Sequence, residues 1–203
     1  MQNVLDLAFF GSALVTLLVI MDPPGVVPIF LALAGKKPPK EKSRLALQAT
    51  ATSFGVIVVF ALLGEQVLSY LKITLPALQG AGGLLLLLVA LELLTGRGQD
   101  PNLEKDVNVA LVPLGTPLLA GPGAIVATIL FARQADAFNQ YLALALAVIL
   151  VHAFIWLSMR YSVGILRLIG TSGVTIVARI AGLLLAAIGV QLIADSIVGF
   201  SAQ

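Results

Sequence analysis

The sequence predicts an all-α integral membrane protein with six transmembrane spans, arranged as two inverted-topology repeats of three, with the first and fourth helices discontinuous. Three observations predict this. Hydrophobic residues fill 59% of the 203 positions and charged residues only 11%, and the mean hydropathy is +1.05, far from the composition of soluble domains. Apolar stretches of about 20 residues, the length of helix that crosses a bilayer, recur along the chain with short polar connections between them. Motifs of the first half return in the second half at one constant offset. The apolar stretches consume nearly the whole chain and leave no room for a soluble domain. A net charge of +2, with no basic patch interleaved with aromatics, gives no reason to expect nucleic acid as a partner. The absence of cysteine excludes disulfides, thiolate metal sites and cysteine nucleophiles.

The first span covers residues 7–34. No basic run precedes it, so the N-terminus is expected to open a spanning helix and not to be a cleaved signal peptide. "MDPPGVVPIF" at 21–30 interrupts it. Pro23 and Pro24 lack the amide hydrogens a continuous helix would use, and Asp22 before a proline is the N-cap and N1 pattern of a new helix. Residues 7–21 make about 22 Å of helix and 24–34 about 16 Å, which puts the break near the bilayer midplane. The second span is placed at 44–64 and the third at 75–95. The fourth, 108–132, contains "PLLAGPGAIVATI". There Gly121 suits the end of one half-helix, Pro122 cannot continue it, and Gly123 leaves backbone exposed; Thr116 and Pro117 add a second irregularity. The fifth span, 140–159, holds the single histidine, His152, and the sixth is placed at 174–198.

Orientation follows from the bases. Lys36, Lys37, Lys40, Lys42 and Arg44 precede the second span, Arg97 and Lys105 follow the third, and Arg160, Arg167 and Arg179 follow the fifth. The alternate connections hold only Lys72 and Arg133. The positive-inside rule then puts both termini outside the cell. A shift of 99 residues superposes Pro23 on Pro122, Val27 on Val126, Gly83 on Gly182 and Glu92 on Gln191. Residues 1–98 and 99–203 thus form two units of three crossings. Because three is odd, the second unit enters the membrane from the opposite side, a pattern of secondary transporters.

Backbone left unpaired at this depth must face protein or a wet cavity, not lipid. In an inverted repeat the half-helices beginning at 23 and 122 bring their positive N-terminal ends to a common centre, which suits a carboxylate. The carbonyl ends near Ile20, Met21, Leu119 and Ala120 suit an ammonium, so together the breaks fit a small zwitterion. Asp22 is a cap, a contact for the substrate ammonium, or a proton carrier. His152 superposes on Ser53, beside Thr50 and Thr52; the pair reads either as an interhelical hydrogen bond or as a lining of the proton or solute path. Glu92 and Gln191 either snorkel toward opposite membrane faces or take part in gating. Asp195 is expected at the interface.

At "MDPPGVVPIF" and "PLLAGPGAIVATI" the chain resembles the MarC family, whose better-characterised members are SnatA-like small neutral amino acid transporters. The resemblance covers the six-span layout along essentially the whole chain. It implies import or exchange of glycine, alanine and similar amino acids, linked to protons, with binding at the two broken helices. On this sequence it carries over onto Asp22, Pro23, Pro24, Gly25 and Pro28, and onto Gly121, Pro122, Gly123 and Ala124. The expectation is therefore a carrier in the inner (plasma) membrane, working by alternating access, with a proton as coupling ion and neither metal nor other cofactor. A passive channel or a non-transporting scaffold is the alternative. An intramembrane enzyme lacks its parts: there is no HExxH, no cysteine, and Asp22 and Asp195 differ in expected depth.

Overall fold

The computed structural model describes residues 5–34, 37–95 and 119–201. The described regular structure is helical: α1 (Leu7–Met21), α2 (Pro23–Ala34), α3 (Pro39–Tyr70), α4 (Leu75–Thr95), α5 (Pro122–Gln134), α6 (Phe138–Arg160) and α7 (Ser162–Ser201). Five stretches have the length and apolar character to cross a membrane: Leu7–Val27, Pro39–Tyr70, Leu75–Thr95, Phe138–Arg160 and Ser172–Ser201. The chain is thus built as a multi-pass membrane protein. α5 is apolar but shorter, and 108–118, the expected first part of the fourth span with Thr116 and Pro117, lies outside the described residues, as do Arg97 and Lys105.

Local chemistry accounts for the helix ends. Asp6 caps α1, its carboxylate accepting the Phe9 amide at 3.0 Å. The Gln140 side chain donates to the same carboxylate at 3.2 Å, tying the start of α1 to the start of α6. α3 runs well beyond the expected 44–64 at both ends, because Pro39 is a compatible first residue and the charged turn Lys40 to Arg44 continues as solvated helix past the apolar run. The connection after α6 is not a loop. Residues 162–169 are helical, and only Gly170, at φ 67° and ψ 172°, breaks them from the spanning part of α7, so Arg167 sits on a short helix and Arg179 on the span itself.

α4 packs along α7 so closely that neither strand of contact leaves room for a β-carbon. One added at Gly83 would stand 2.5 Å from the Gly189 carbonyl oxygen, and one added at Gly189 would stand 2.8 Å from that of Gly83. Around this pair, α1 packs on α6, α2 on α6 and α7, α3 on α5 and α6, and α4 on α5. The main core, with Leu17, Met21, Phe30, Ile57, Leu119 and Ile155 fully or nearly buried, lies where α1, α2, α3, α5 and α6 converge. Outward positions such as Leu62, Leu84, Leu88 and Ile197 are exposed and apolar, the surface a bilayer solvates.

Candidate functional site

Asp22 joins α1 to α2. Its amide still donates to the Leu18 carbonyl at 3.1 Å, but its backbone is left-handed, φ 40° and ψ 67°, and α1 ends there. Prolines at 23 and 24 withhold the amides that the carbonyls of Val19 and Ile20 would have met. The Asp22 carbonyl then accepts the Val26 amide at 3.2 Å and so begins α2. With prolines at N1 and N2, the first amide available to a capping carboxylate is that of Gly25, and it faces the Asp22 side chain. The carboxylate lies over residue 25 so closely that a β-carbon there would collide with it, which is why glycine is required. Asp22 is only 8% exposed, and its Oδ2 is buried without a hydrogen-bond partner.

The start of α5 has the same logic without an acid. Leu119 and Ala120 are bent and buried, Gly121 is extended (φ −61°, ψ 161°), and Pro122 opens α5. The Ile125 amide donates to the Gly121 carbonyl at 3.1 Å. Gly123 is wedged against α4 and α1: a β-carbon there would collide with Leu86 and stand 3.5 Å from Ile20 Cγ2. The last turn of α1 and the first turn of α5 therefore meet, and Met21, Leu119, Ala120 and Ala124 share one core. Pro23, Gly25, Gly123 and Ala124 are buried in it. Two helix N-termini open into this core, and among the described buried residues Asp22 is the only acid near them. Thr128, fully buried one turn into α5, donates to the Ala124 carbonyl at 2.7 Å. Neither Leu86 nor Thr128 stood out in the sequence, because each looks like ordinary helix content.

Ser53 and His152 face each other across α3 and α6, Oγ to Nε2 at 3.1 Å. Nδ1 lies 2.8 Å from the Val148 carbonyl, which can only accept, so Nδ1 carries the proton; in the neutral ring Nε2 then accepts from the Ser53 hydroxyl. The Phe54 ring closes on the imidazole edge to face at 5.2 Å. Thr50 Oγ1 and Trp156 Nε1, each one turn from this pair, are buried without partners. Glu92 and Gln191 are not brought to the breaks. Both are exposed on α4 and α7, and Gln191 donates to Asp195, also exposed, at 2.8 Å.

Two cavities flank this core. One of about 370 Å³ lies between α3, α5 and α6, and one of about 110 Å³ lies between α1, α5 and α7, with Thr16, Ile20 and Ala127 in its wall. Neither is lined by Asp22, Gly25 or Gly123. Among the described residues no cluster of three histidines or acids could hold a metal.

Residues 7–201 match the model of the MarC family integral membrane proteins. The chain is 34% identical to the UPF0056 membrane protein MJ1677 of Methanocaldococcus jannaschii, over 96% of this chain and 98% of the relative. It is 35% identical to a UPF0056 membrane protein of Archaeoglobus fulgidus, over 94% and 93%. It is 32% identical to the UPF0056 inner membrane protein MarC of Escherichia coli O1:K1, over 92% and 93%. No solved structure matches the chain. Its family is the one that the motifs at 21–30 and 117–129 suggested: the chain belongs to the MarC family of integral membrane proteins.

Proposed function

We propose that this protein is a secondary transporter of small neutral amino acids such as glycine and alanine. It sits in the inner (plasma) membrane with both termini outside, works by alternating access and is linked to protons. The observation that carries the reading is the meeting of the Asp22 junction with the start of α5 in one buried core, where a β-carbon at Gly123 would stand 3.5 Å from Ile20 Cγ2 and Asp22 keeps an unpartnered carboxylate oxygen. Two amide-bearing helix starts suit the carboxylate of an amino acid, and Asp22 with the carbonyls of Val19 and Ile20 suits its ammonium. Glycine-lined walls favour a solute with little side chain.

The inverted repeat has its own support. The approach of Gly83 to Gly189 becomes, under the 99-residue shift, the approach of Gly182 to Ala90, whose carbonyl oxygen would stand 3.2 Å from a β-carbon at 182. The Ser53 to His152 hydrogen bond joins two positions separated by that same 99 residues, as expected of a contact on the two-fold axis between repeats. In this arrangement Leu86 and the Asp22 carboxylate fill the space beside Gly123 and Gly25, so admitting a solute requires both to move. The names of the relatives specify no substrate; the amino acid class rests on the zwitterion fit and on the family's SnatA-like members. Uptake of radiolabelled glycine and alanine into proteoliposomes, with and without a pH gradient or sodium, tests the reading. Saturable uptake with counter-transport, accelerated by a proton gradient, is expected. Uptake that neither saturates nor exchanges would replace the carrier by a channel, and no uptake of either amino acid would overturn the assignment.

A further inference from the structure

The larger cavity lies apart from Asp22, Gly25 and Gly123. Its long walls are α3, from Phe54 to Gln66, and α6, from Tyr141 to Ile149, which run antiparallel there: Ser53 meets His152 beside Phe54, while Glu65 toward the other end approaches Arg133, which precedes α6. Ile129 and Ala132 of α5 form its floor. From Phe54 to Glu65 the helix rises about 16 Å, close to half of the roughly 30 Å hydrocarbon thickness. The groove is therefore as long as one leaflet is deep, and its inner end closes against the ring that packs on His152. Between the ends its walls are apolar.

The outer end is polar: Glu65, Gln66 and Tyr141 line it, and Arg133, next to the lining residue Ala132, stands beside Glu65. Arg133 Nε and Glu65 Oε1 stand 3.7 Å apart with 33% and 63% of their side chains exposed, too far for a tight hydrogen bond, so both keep capacity for another partner. Tyr141, 52% exposed, marks this rim as the level of the lipid headgroups, where amphipathic rings settle. The rim lies at the end of α3 away from the basic turn Lys37 to Arg44.

We propose that this groove is a binding site for one zwitterionic phospholipid bearing a primary ammonium, a phosphatidylethanolamine, in the leaflet opposite the Lys37 to Arg44 turn. One acyl chain lies between α3 and α6 as far as Phe54, the ammonium donates to Glu65, and the phosphate accepts from Arg133. A choline headgroup has no N–H to donate, and an anionic glycerol headgroup offers Glu65 no cation. A groove of this depth and apolarity suits a hydrocarbon chain better than a row of waters.

Native mass spectrometry of the full chain, with dioleoyl phosphatidylethanolamine, phosphatidylcholine or phosphatidylglycerol added to the detergent, tests this. One phosphatidylethanolamine is expected to be retained about tenfold or more tightly than the other two, the value of one charge-assisted hydrogen bond. Glu65→Gln should erase that preference. Ala61→Trp, which plugs the groove, should abolish retention of all three lipids, and Ala145→Trp on the facing wall serves if the first variant does not fold. Water-soluble glycerophosphoethanolamine should not compete. Equal retention of the three lipids, unchanged retention by a folded plugged variant, competition by the soluble headgroup, or a stable dimer that excludes lipid would each overturn the proposal. Because the readout is lipid retention, it stands or falls independently of amino acid uptake.

Discussion

Filling the space at Gly123 should reveal what guards the meeting of α1 with the start of α5. In Gly123→Ala the new β-carbon overlaps the tip of Leu86, lies 3.1 Å from Leu86 Cγ and 3.5 Å from Ile20 Cγ2. Leu86 is 2% exposed and packed with Ala90 and Leu185, so its side chain cannot swing aside freely. Overpacking of this kind costs about 1–3 kcal/mol, and the better helix propensity of alanine returns up to about 1 kcal/mol, so Gly123→Ala should be less stable than a Gly→Ala change in open space by about 1–3 kcal/mol. Leu86→Ala alone opens a cavity and should cost about 2–5 kcal/mol. In the double variant the alanine at 123 occupies part of the space that Leu86 vacates, so the two costs should fall short of their sum by about 1–2 kcal/mol. Unfolding of the purified variants in detergent measures this, with Gly11→Ala as control because nothing lies within 4 Å of that position. Uptake should fall in Gly123→Ala and recover in part in the double variant. Strict additivity, or a Gly123→Ala protein as stable as Gly11→Ala, would show that Leu86 does not fill the space beside Gly123, and that a solute there need not displace it.

Other perturbations bear on separate parts of the structure. Asp22→Asn keeps the shape and the cap on Gly25 but removes the charge, so it should insert and melt near the wild type while uptake drops about tenfold or more, the value of a hydrogen bond to a substrate ammonium; undiminished uptake would remove Asp22 from the mechanism. Gly83→Ala places a β-carbon 2.5 Å from a backbone oxygen of α7, which cannot rotate away, so it should cost about 2–3 kcal/mol, and adding Gly189→Ala should cost less than it does alone; a wild-type melting curve for Gly83→Ala would deny the close helix contact. The Phe9 amide first, and the Gln140 side chain second, hold the Asp6 carboxyl below its ordinary value of 3.8. A lowered folded value means that the stabilisation is present above 3.8 and disappears as pH falls through the lower folded value. The melting temperature should therefore drop over that acid range, and by less in Asp6→Asn, which still caps the helix without titrating; identical pH profiles would refute the link.

Much of the architecture was legible because it depends on neighbours in the chain. The missing amides of Pro23 and Pro24 end α1 whatever packs around them, and Asp22 is a good cap in any surroundings. α4 was legible to the residue, since apolar length alone sets it. The reach of α3 past residues 44–64 was not, because a solvated charged turn carries no apolar signal, and neither was the helix at 162–169, where the decisive fact is one positive φ at Gly170. Ser53 and His152 were paired by their common offset, and the structure puts them in hydrogen-bond contact. Glu92 and Gln191 share that offset too, yet both face outward.

By itself the sequence determined that this chain lives in a bilayer, where α1 ends and α2 and α5 begin, and which family it joins, because hydropathy, proline chemistry and capping act within a few residues. Only the tertiary structure decided that the end of α1 meets the start of α5, that Leu86 and the Asp22 carboxylate close the space beside Gly123 and Gly25, and that a polar-rimmed groove opens between α3 and α6. Those are properties of distance between residues far apart in the chain, and distance arises only when helix packs against helix.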